Sequence, residues 1–454
     1  MKTILNPIVQ CFSLLLAAVI ALACAPCRAE AAPRAVETPE DAAEWIGILL
    51  GGQPEALADG WLWTDEMRTA VTAMGGPKGL ALSLAGLGAV QRIETAYEAA
   101  LSGYRTFHVP CVFAALSIDL IVVTEQGAVA GLTTGAYTGG QVPASDAYES
   151  VDLSLPVPAL DGALPGTLTL PRGDGPFPAV VLVHGSGPSD RDETMGQQKP
   201  FRDLAEGLAE AGAAVYRYDK RTYVYGARMA PDHGITLVDE TIEDACAAVR
   251  LLAGQPKIDP DRIFVLGHSL GGNAVPAIFR TLRDQGFAVR GCVMLAASPR
   301  SLDTLMREQY DFLYSLMPDV TPQQQAEKDA LFRELDRLAD PEALAENDLI
   351  AGVYAPYWQW LAAYDVPAAA QEMTCPCLLM QGEEDYQVTM TDFNLWQAAL
   401  GGRDNWRLVS FPGLTHAFTT GKKTEGPAAY ARPETMDPRV IREIADFIRR
   451  AADE

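Results

Sequence analysis

Basic residues are scarce in this sequence. Its 454 residues include 35 lysines and arginines against 59 aspartates and glutamates, which gives a formal net charge of −24. A phosphate-rich partner would have to approach against the field of such an acidic molecule. No cluster of lysine and arginine reverses this field locally. We therefore expect neither nucleic acid nor an anionic lipid surface as a partner.

Long apolar runs are also missing, apart from one near the N-terminus. The run from Cys11 to Ala23 follows Lys2 and leads into small residues, which is the pattern of an export signal. It is shorter than the ~20 residues that span a bilayer. We therefore expect cleavage after Ala23 or Ala31 rather than an uncleaved membrane anchor. The sequence predicts a signal peptide at residues 1–31 and an exported bacterial protein, extracellular, periplasmic or on the cell surface.

The same segment allows a lipid anchor. Cys24 follows Ala21-Leu22-Ala23, and the segment therefore also resembles a bacterial lipoprotein signal in which Cys24 would carry the lipid. Leu22 departs from the small residue that is usual at its position. Contact with a membrane is expected only through this anchor.

The cysteines of this chain do not have the pattern of a disulfide framework. Of the eight cysteines, three belong to the N-terminal segment, and the other five are Cys111, Cys246, Cys292, Cys375 and Cys377. An odd and widely spaced set predicts neither a disulfide scaffold nor a zinc site. We expect these thiols to be buried in strands, and we expect no metal and no organic cofactor.

The length predicts two domains, because a single domain usually contains about 100 to 200 residues. Residues 36–145 combine helical patterns with two strand-like runs, Thr106 to Leu116 and Ile118 to Val123, and predict a small α+β domain. The stretch from Gly131 to Ala147, rich in small residues, is interpreted as the linker that ends this domain.

From residue 150 the pattern changes to short apolar runs separated by helical segments. The runs are Ala179 to Val183, Ala213 to Tyr218, Ile263 to Leu266, Gly291 to Leu295, Cys377 to Met380 and Trp406 to Phe411. Such a pattern predicts a mostly parallel sheet that is buried on both faces. Residues 150–454 therefore predict an α/β domain. Its helical insertion, at about 299–372, is expected to cover the carboxyl ends of the strands, where such sheets bind ligands.

The segment Gly267-His268-Ser269-Leu270-Gly271-Gly272 lies between a predicted strand and a predicted helix. In a nucleophile elbow a serine occupies a strained strand-to-helix turn, and glycines flank it because larger side chains would clash. No other Gly-x-Ser-x-Gly pattern occurs in the chain. The pattern predicts Ser269 as a nucleophile, and the alternative is a merely structural turn.

A serine nucleophile needs a base and an acid. Of the five histidines, His416 is the one that follows the elbow, and enzymes of this type run in the chain order serine, acid, histidine. Asp385 lies in the loop after the penultimate predicted strand and is the predicted acid, which would orient the imidazole. Glu383 and Glu384, in the same loop, remain alternatives.

An oxyanion hole needs two backbone N–H donors. The residue after the nucleophile, Leu270, supplies the first. The second is expected from the glycine-rich turn after an early strand, where Ser186 is preferred and Gly187 is the alternative.

Two further groups of residues are interpreted first as structural. Asp219, Lys220 and Arg221 follow a predicted strand and are interpreted as a solvated or salt-bridged turn. Trp358 and Trp360, in the helical insertion, are interpreted first as the core of a lid, with substrate contact as the alternative.

Together these segments resemble a family of exported bacterial α/β-hydrolase carboxylesterases with a small N-terminal domain. The resemblance covers essentially residues 150–450, and its segments are 184–192, 218–221, 267–272, 381–388 and 413–416. It implies the α/β-hydrolase fold, with a helical lid, and the triad Ser269, Asp385 and His416. It also implies that the N-terminal domain is similar to nuclear transport factor 2.

We therefore expect a serine hydrolase that cleaves small-molecule carboxylic esters with short to medium acyl groups through an acyl-enzyme. An aminopeptidase-like amidase and a thioesterase are alternatives, because a triad does not fix the leaving group. An alternative from another class is a cell-envelope binding protein without catalytic activity.

Overall fold

The computed structural model describes residues 33–94, 96–101, 104–113, 116–137, 147–432 and 434–453. The described residues divide into two compact units, a smaller one that contains residues 33–137 and a larger one that contains nearly all of residues 147–453. The predicted signal peptide, Cys24 included, lies outside the described residues. Within the described ranges, every helix is too short or too polar to span a bilayer.

The smaller unit packs helices on an antiparallel sheet. Its helices are Pro39–Leu50 (α1), Leu57–Gly60 (α2), Asp65–Ala73 (α3) and Pro77–Ser83 (α4). Its strands are Val90–Ile93 (β1), Tyr97–Leu101 (β2), Tyr104–Phe113 (β3), Ser117–Glu125 (β4) and Ala128–Ala136 (β5). Strand β3 pairs with β1, β2 and β4, and β5 pairs with β4. The core includes Trp45, whose ring lies 5.4 Å from that of Trp63.

Two strands of this unit, β3 and β4, were predicted and are confirmed, whereas β1, β2 and β5 were not predicted. The predicted linker from Gly131 to Ala147 is wrong over its first residues, because these form the end of β5. Gly131 is paired with Val123 and Gly135 with Asp119 on β4. Backbone pairing with β4 thus outweighs the weak strand propensity of the glycines. Residues 138–146 lie outside the described residues.

The larger unit contains the remaining strands. They are Tyr148–Asp152 (β6), Leu155–Val157 (β7), Gly162–Leu164 (β8), Gly166–Pro171 (β9), Phe177–Val183 (β10), Ala214–Tyr218 (β11), Ile258–His268 (β12), Gly291–Leu295 (β13), Leu349–Ile350 (β14), Val353–Tyr354 (β15), Cys377–Gly382 (β16) and Trp406–Phe411 (β17).

The helices of this unit alternate with the strands. They are Pro200–Glu210 (α5), Arg221–Met229 (α6), Glu243–Ala253 (α7), Leu270–Asp284 (α8), Leu302–Ser315 (α9), Pro322–Asp336 (α10), Ala355–Ala363 (α11), Val366–Gln371 (α12), Met390–Leu400 (α13) and Pro438–Asp453 (α14). A π-helix, Val238–Ile242, directly precedes α7.

The strands form a sheet in the order β17-β16-β13-β12-β10-β11-β9-β6. The strands from β17 to β11 run parallel to one another, whereas β9 and β6 add antiparallel pairings at one edge. All the apolar runs predicted as strands of this sheet are strands in the structure.

Both faces of the sheet are covered. On β10, Val180 and Leu182 pack in a cluster with α5 and α14, whereas Val181 and Val183 pack in a second cluster with α7 and α8. Successive side chains of a strand point to opposite faces, so these two clusters lie on opposite sides of the sheet. The prediction of a mostly parallel sheet with helices on both faces is therefore confirmed.

The segment between β13 and β16 holds α9 to α12, and we call it the insertion. It has a small core of its own around Leu335, Ile350 and Trp358. The insertion begins after the carboxyl end of β13. Because β13 pairs in parallel with β12, this point lies beside the end of β12 that leads into Ser269.

Candidate active site

Ser269 occupies the sharp turn between β12 and α8. Its φ of 54° and ψ of −122° place a non-glycine residue in a strained conformation. The flanking glycines are required by close packing: a Cβ on Gly267 would lie 2.2 Å from the carbonyl oxygen of Gly271, and one on Gly271 would lie 2.2 Å from that of Val183. The Ser269 N–H donates to the Leu295 carbonyl at 2.8 Å, which fixes the turn to β13.

His416 and Asp385 form a buried pair. His416 Nδ1 lies 2.6 Å from Asp385 Oδ2, and both side chains are nearly inaccessible to solvent. The other carboxylate oxygen, Oδ1, accepts hydrogen bonds from the backbone N–H groups of Gln387 at 2.7 Å and Val388 at 3.0 Å. Gln381 Nε2 donates to Oδ2 at 3.1 Å. The carboxylate is therefore held in one orientation, with His416 Nδ1–H directed to it and Nε2 left to accept a proton.

The two alternative acids lie elsewhere. Glu383 accepts a hydrogen bond from the Ser410 hydroxyl at 2.8 Å, and Glu384 accepts one from the Lys423 N–H at 3.0 Å. Among the three acidic residues of this loop, Asp385 is the one that the structure brings to His416.

His268 links this pair to the elbow. It precedes Ser269 in the chain, its Nε2 lies 2.9 Å from the carbonyl oxygen of His416, and the two imidazole rings are 4.6 Å apart. The residues predicted as a triad from three distant parts of the chain are thus gathered at the carboxyl ends of β12, β16 and β17.

The predicted oxyanion loop lies against the elbow. A Cβ on Gly185 would be 3.1 Å from the Cβ of Ser269. Ser186 follows and is exposed, and Gly187 has a φ of +81° that favours glycine. On the other side, Leu270 begins α8, where the N–H groups of the first turn are not used within the helix. Both predicted donors are therefore adjacent to Ser269.

A buried ion pair, which the sequence analysis did not identify, supports this arrangement. Glu193 Oε2 and His268 Nδ1 lie 2.9 Å apart, as an ion pair rather than a linear hydrogen bond, and the Gly185 N–H donates to Glu193 Oε1 at 2.6 Å. Burial alone would lower the pKa of His268, but the charge of Glu193 outweighs it and the pKa is raised. Likewise, burial would raise the pKa of Glu193, but His268 and the Gly185 N–H lower it.

The turn after β11 is buried, so the interpretation of Asp219, Lys220 and Arg221 as solvated is wrong, whereas their interpretation as salt-bridged is confirmed. Their accessibilities are 8%, 2% and 5%. Asp219 pairs with Arg191 at 3.0 Å and Arg221 with Asp244 at 2.7 Å.

Lys220 is placed differently. Its ammonium donates to the carbonyl oxygens of Gly185 at 2.8 Å and Gly187 at 3.2 Å, and it lies 2.6 Å from Glu240 Oε1. From the sequence, Lys220 was named only as part of a solvated or salt-bridged turn, and Glu193 was not named. The signal available in the sequence was their position: Lys220 lies two residues after the predicted strand Ala213 to Tyr218, and Glu193 directly follows the segment 184–192.

Trp358 lies in the core of the insertion, where its indole N–H donates to the Ile350 carbonyl at 3.1 Å. The ring of Trp360 lies 4.8 Å from that of Tyr364 and packs against the main core. Both positions agree with the interpretation as core, and contact of either residue with a substrate stays a prediction.

The thiols of Cys111, Cys246, Cys292 and Cys377 are buried and free, and Cys375 is half-buried. Across the described ranges, no group of three or more histidine, cysteine, aspartate or glutamate side chains is arranged to hold a metal ion.

A model of the alpha/beta hydrolase family matches residues 180–432. The esterase EstD of Thermotoga maritima is 36% identical over 334 residues, which cover 72% of this chain and 76% of EstD. Among solved structures, Est1E from Butyrivibrio proteoclasticus is 18% identical with a TM-score of 0.43, covering 67% of this chain and 99% of Est1E. A hyperthermophilic esterase from Pyrobaculum calidifontis is 20% identical with a TM-score of 0.39, covering 67% of this chain and 86% of that protein.

Proposed function

The chain belongs to the alpha/beta hydrolase family, and on that premise we propose that it is a serine hydrolase of carboxylic esters, with Ser269 as nucleophile, His416 as base and Asp385 as the acid that orients the base. The observation that carries the proposal is the 2.6 Å bond between His416 Nδ1 and Asp385 Oδ2 beside the strained Ser269 turn.

The reaction proceeds in two acyl-transfer steps. Ser269 Oγ attacks the ester carbonyl while His416 Nε2 takes its proton, and the alcohol leaves with that proton. A water molecule then attacks the acyl-enzyme by the same route and releases the acid. The backbone N–H groups of Ser186 and Leu270 stabilise the oxyanion in both steps, and each such donor is worth about 10² to 10³ in turnover.

The substrates proposed are small esters with short to medium acyl groups. This choice is supported by the 36% identity to a protein named an esterase and by the resemblance of the motifs around residues 184–192 and 413–416. Trp358 and Trp360 belong to the insertion, and its packing beside the elbow would limit the length of the acyl group that the site accepts.

We also propose that the enzyme is exported, and that its smaller unit is similar to nuclear transport factor 2. The first proposal is supported by the apolar run from Cys11 to Ala23, with Cys24 as the lipid-carrying residue if the protein is tethered. The second is supported by the helices of residues 39–83, which are followed by an antiparallel sheet in which β3 pairs with β1, β2 and β4.

The test is hydrolysis of p-nitrophenyl esters from acetate to long chains by the mature protein and by its Ser269→Ala variant. We expect activity on short and medium chains that the variant lacks. The acyl-chain length that is cleaved fastest measures how long an acyl group the site accommodates.

Amide and thioester substrates are assayed in parallel. A preference for either, dependent on Ser269, would replace the ester proposal with an amidase or a thioesterase. Equal or absent turnover of all three classes by both proteins would support the binding protein instead.

A further inference from the structure

The ammonium of Lys220 is fully used inside the protein. It has three N–H donors, and it meets three acceptors: the carbonyl oxygens of Gly185 and Gly187 and a carboxylate oxygen of Glu240. Lys220 is 2% exposed, so these bonds replace its hydration entirely. Such a buried charge is stable only while all its partners stay in place.

One of these bonds acts on the proposed oxyanion donor. Gly185 and Ser186 share a peptide unit, which is trans. In a planar trans peptide the C=O and the N–H point in opposite directions. Holding the Gly185 carbonyl on Lys220 therefore directs the Ser186 N–H away from Lys220. The same ammonium polarises the peptide, which strengthens its N–H as a donor.

The Gly185 N–H is held as well, because it donates to Glu193 Oε1 at 2.6 Å. The backbone of Gly185 is thus fixed through its N–H and its carbonyl by two buried side chains of opposite charge. What remains free is the Ser186 N–H, on the exposed side of the loop next to Ser269.

Glu240 extends this chain of contacts to the insertion. Its Oε1 binds Lys220, and its Oε2 accepts a hydrogen bond from the Tyr357 hydroxyl at 2.5 Å. Tyr357 is a residue of α11 in the insertion and is 7% exposed. The insertion is therefore joined to the oxyanion loop by three buried, charge-assisted contacts in series: from Tyr357 to Glu240, from Glu240 to Lys220, and from Lys220 to the Gly185 carbonyl.

We propose that Lys220 is a positioning residue of the oxyanion hole, and that Glu240 and Tyr357 transmit the seating of the insertion to the Ser186 N–H. With α11 seated, Tyr357 fixes Glu240, Glu240 fixes the ammonium, and the ammonium holds the Gly185 carbonyl. With α11 displaced, Glu240 loses one partner and the loop loses its fixed orientation. This inference rests on the proposed function, since it concerns the stabilisation of an oxyanion formed at Ser269.

The experiment compares Lys220→Met, Glu240→Gln, Tyr357→Phe and the double variant Lys220→Met/Tyr357→Phe in the full mature protein. We expect kcat to fall about 10²-fold for Lys220→Met, as for loss of an oxyanion donor, and about 3- to 10-fold for Tyr357→Phe. The double variant should lose no more than Lys220→Met alone, because both changes act on one chain of contacts. KM should change little.

A second readout separates positioning from packing. A boronic acid forms a tetrahedral, anionic adduct with Ser269, so its inhibition constant should rise by the same factor as kcat falls. Labelling of Ser269 by a phosphonate is followed too, because it does not require an ester to be the substrate. Tyr216→Phe is the matched control: Tyr216 is a buried tyrosine whose hydroxyl donates to the Leu153 carbonyl at 2.8 Å, away from the loop.

Tyr357→Phe and Tyr216→Phe with equal kcat, or strictly multiplicative losses in the double variant, would overturn the inference. So would a boronic acid constant that stays unchanged while kcat falls. If Lys220→Met does not fold, the comparison of Tyr357→Phe with Tyr216→Phe decides. Wild-type protein that is labelled at Ser269 but does not cleave esters would instead contradict the proposed function. The rates at which the phosphonate labels Ser269 in the wild type and the variants would then test the inference.

Discussion

Replacing Glu193 with glutamine perturbs the active site without touching a proposed catalytic group. The variant keeps the shape of the side chain and an oxygen for the Gly185 N–H, but it removes the charge 2.9 Å from His268 Nδ1. Glu193 and His268 are 5% and 4% exposed, so solvent cannot replace the lost partner. Breaking a buried ion pair by removing one member costs about 3 to 5 kcal/mol. We expect a loss of this size in the free energy of unfolding.

The pH dependence of this loss follows from the two pKa shifts. The pKa of Glu193 is lowered in the folded protein, so its contribution is present above the usual range of a glutamate and is lost as the pH falls through the lowered value. The pKa of His268 is raised, so its contribution is complete below its usual value and is lost as the pH rises through the raised one. The difference between wild type and Glu193→Gln should therefore be largest between the usual pKa values of glutamate and histidine, and it should decline as the pH approaches and passes the folded pKa value on either side.

The assay is denaturant unfolding of both proteins across the pH range, followed by tryptophan fluorescence, with Glu384→Gln as the control for loss of one acidic charge in an active-site loop. A difference that stays constant with pH, or that grows towards alkaline pH, would refute the assignment of a charged pair. A loss below about 1 kcal/mol would show that the pair is neutral or solvated.

Two further predictions concern the machinery itself. Asp385→Asn should lower kcat about 10⁴-fold in the ester assay, because an amide can donate to Nδ1 and stabilise the wrong tautomer of His416. The control is Glu384→Gln, which changes a carboxylate that accepts from the Lys423 N–H and should leave kcat within about twofold of wild type. Comparable losses of kcat in both variants would contradict the choice of Asp385 as the acid. Gly185→Ala should reduce the rate of acylation, about tenfold or more, because the new Cβ would lie 3.1 Å from the Cβ of Ser269. Gly226→Ala, where a Cβ has no neighbour within 4 Å, is its control in stopped-flow kinetics, and equal rates would show that the loop yields without consequence.

The fold of the larger unit could be predicted because the central strands of its sheet are buried on both faces. A central strand such as β10, with Val180 to Val183, is a continuous apolar run, and that pattern is visible in the sequence. The elbow was equally legible, because the packing at Gly267 and Gly271 admits no side chain. The smaller unit was predicted less well: β5 is stabilised by its pairing to β4, and Gly131 and Gly135 carry no local sign of a strand.

The three proposed catalytic residues of the candidate site could be predicted from their order along the chain. Ser269, Asp385 and His416 each follow a strand in a fixed order. The supporting roles of Lys220 and Glu193 were not predicted, because nothing in the sequence near these residues shows that their charges are buried. The contacts of Lys220 come from distant parts of the chain: its partner Glu240 lies on a separate helix, and Tyr357, which donates to Glu240, belongs to the insertion. Burial and pairing of this kind arise from tertiary structure alone.

The central claim is that Ser269 is a nucleophile activated by His416. A p-nitrophenyl phosphonate reacts covalently with such a serine, and intact mass spectrometry followed by peptide mapping locates the adduct. We predict one adduct per chain on the peptide that contains Ser269, none on Ser269→Ala, and labelling at least 10²-fold slower on His416→Ala. An adduct on another residue, or equal labelling of wild type and Ser269→Ala, would contradict the account.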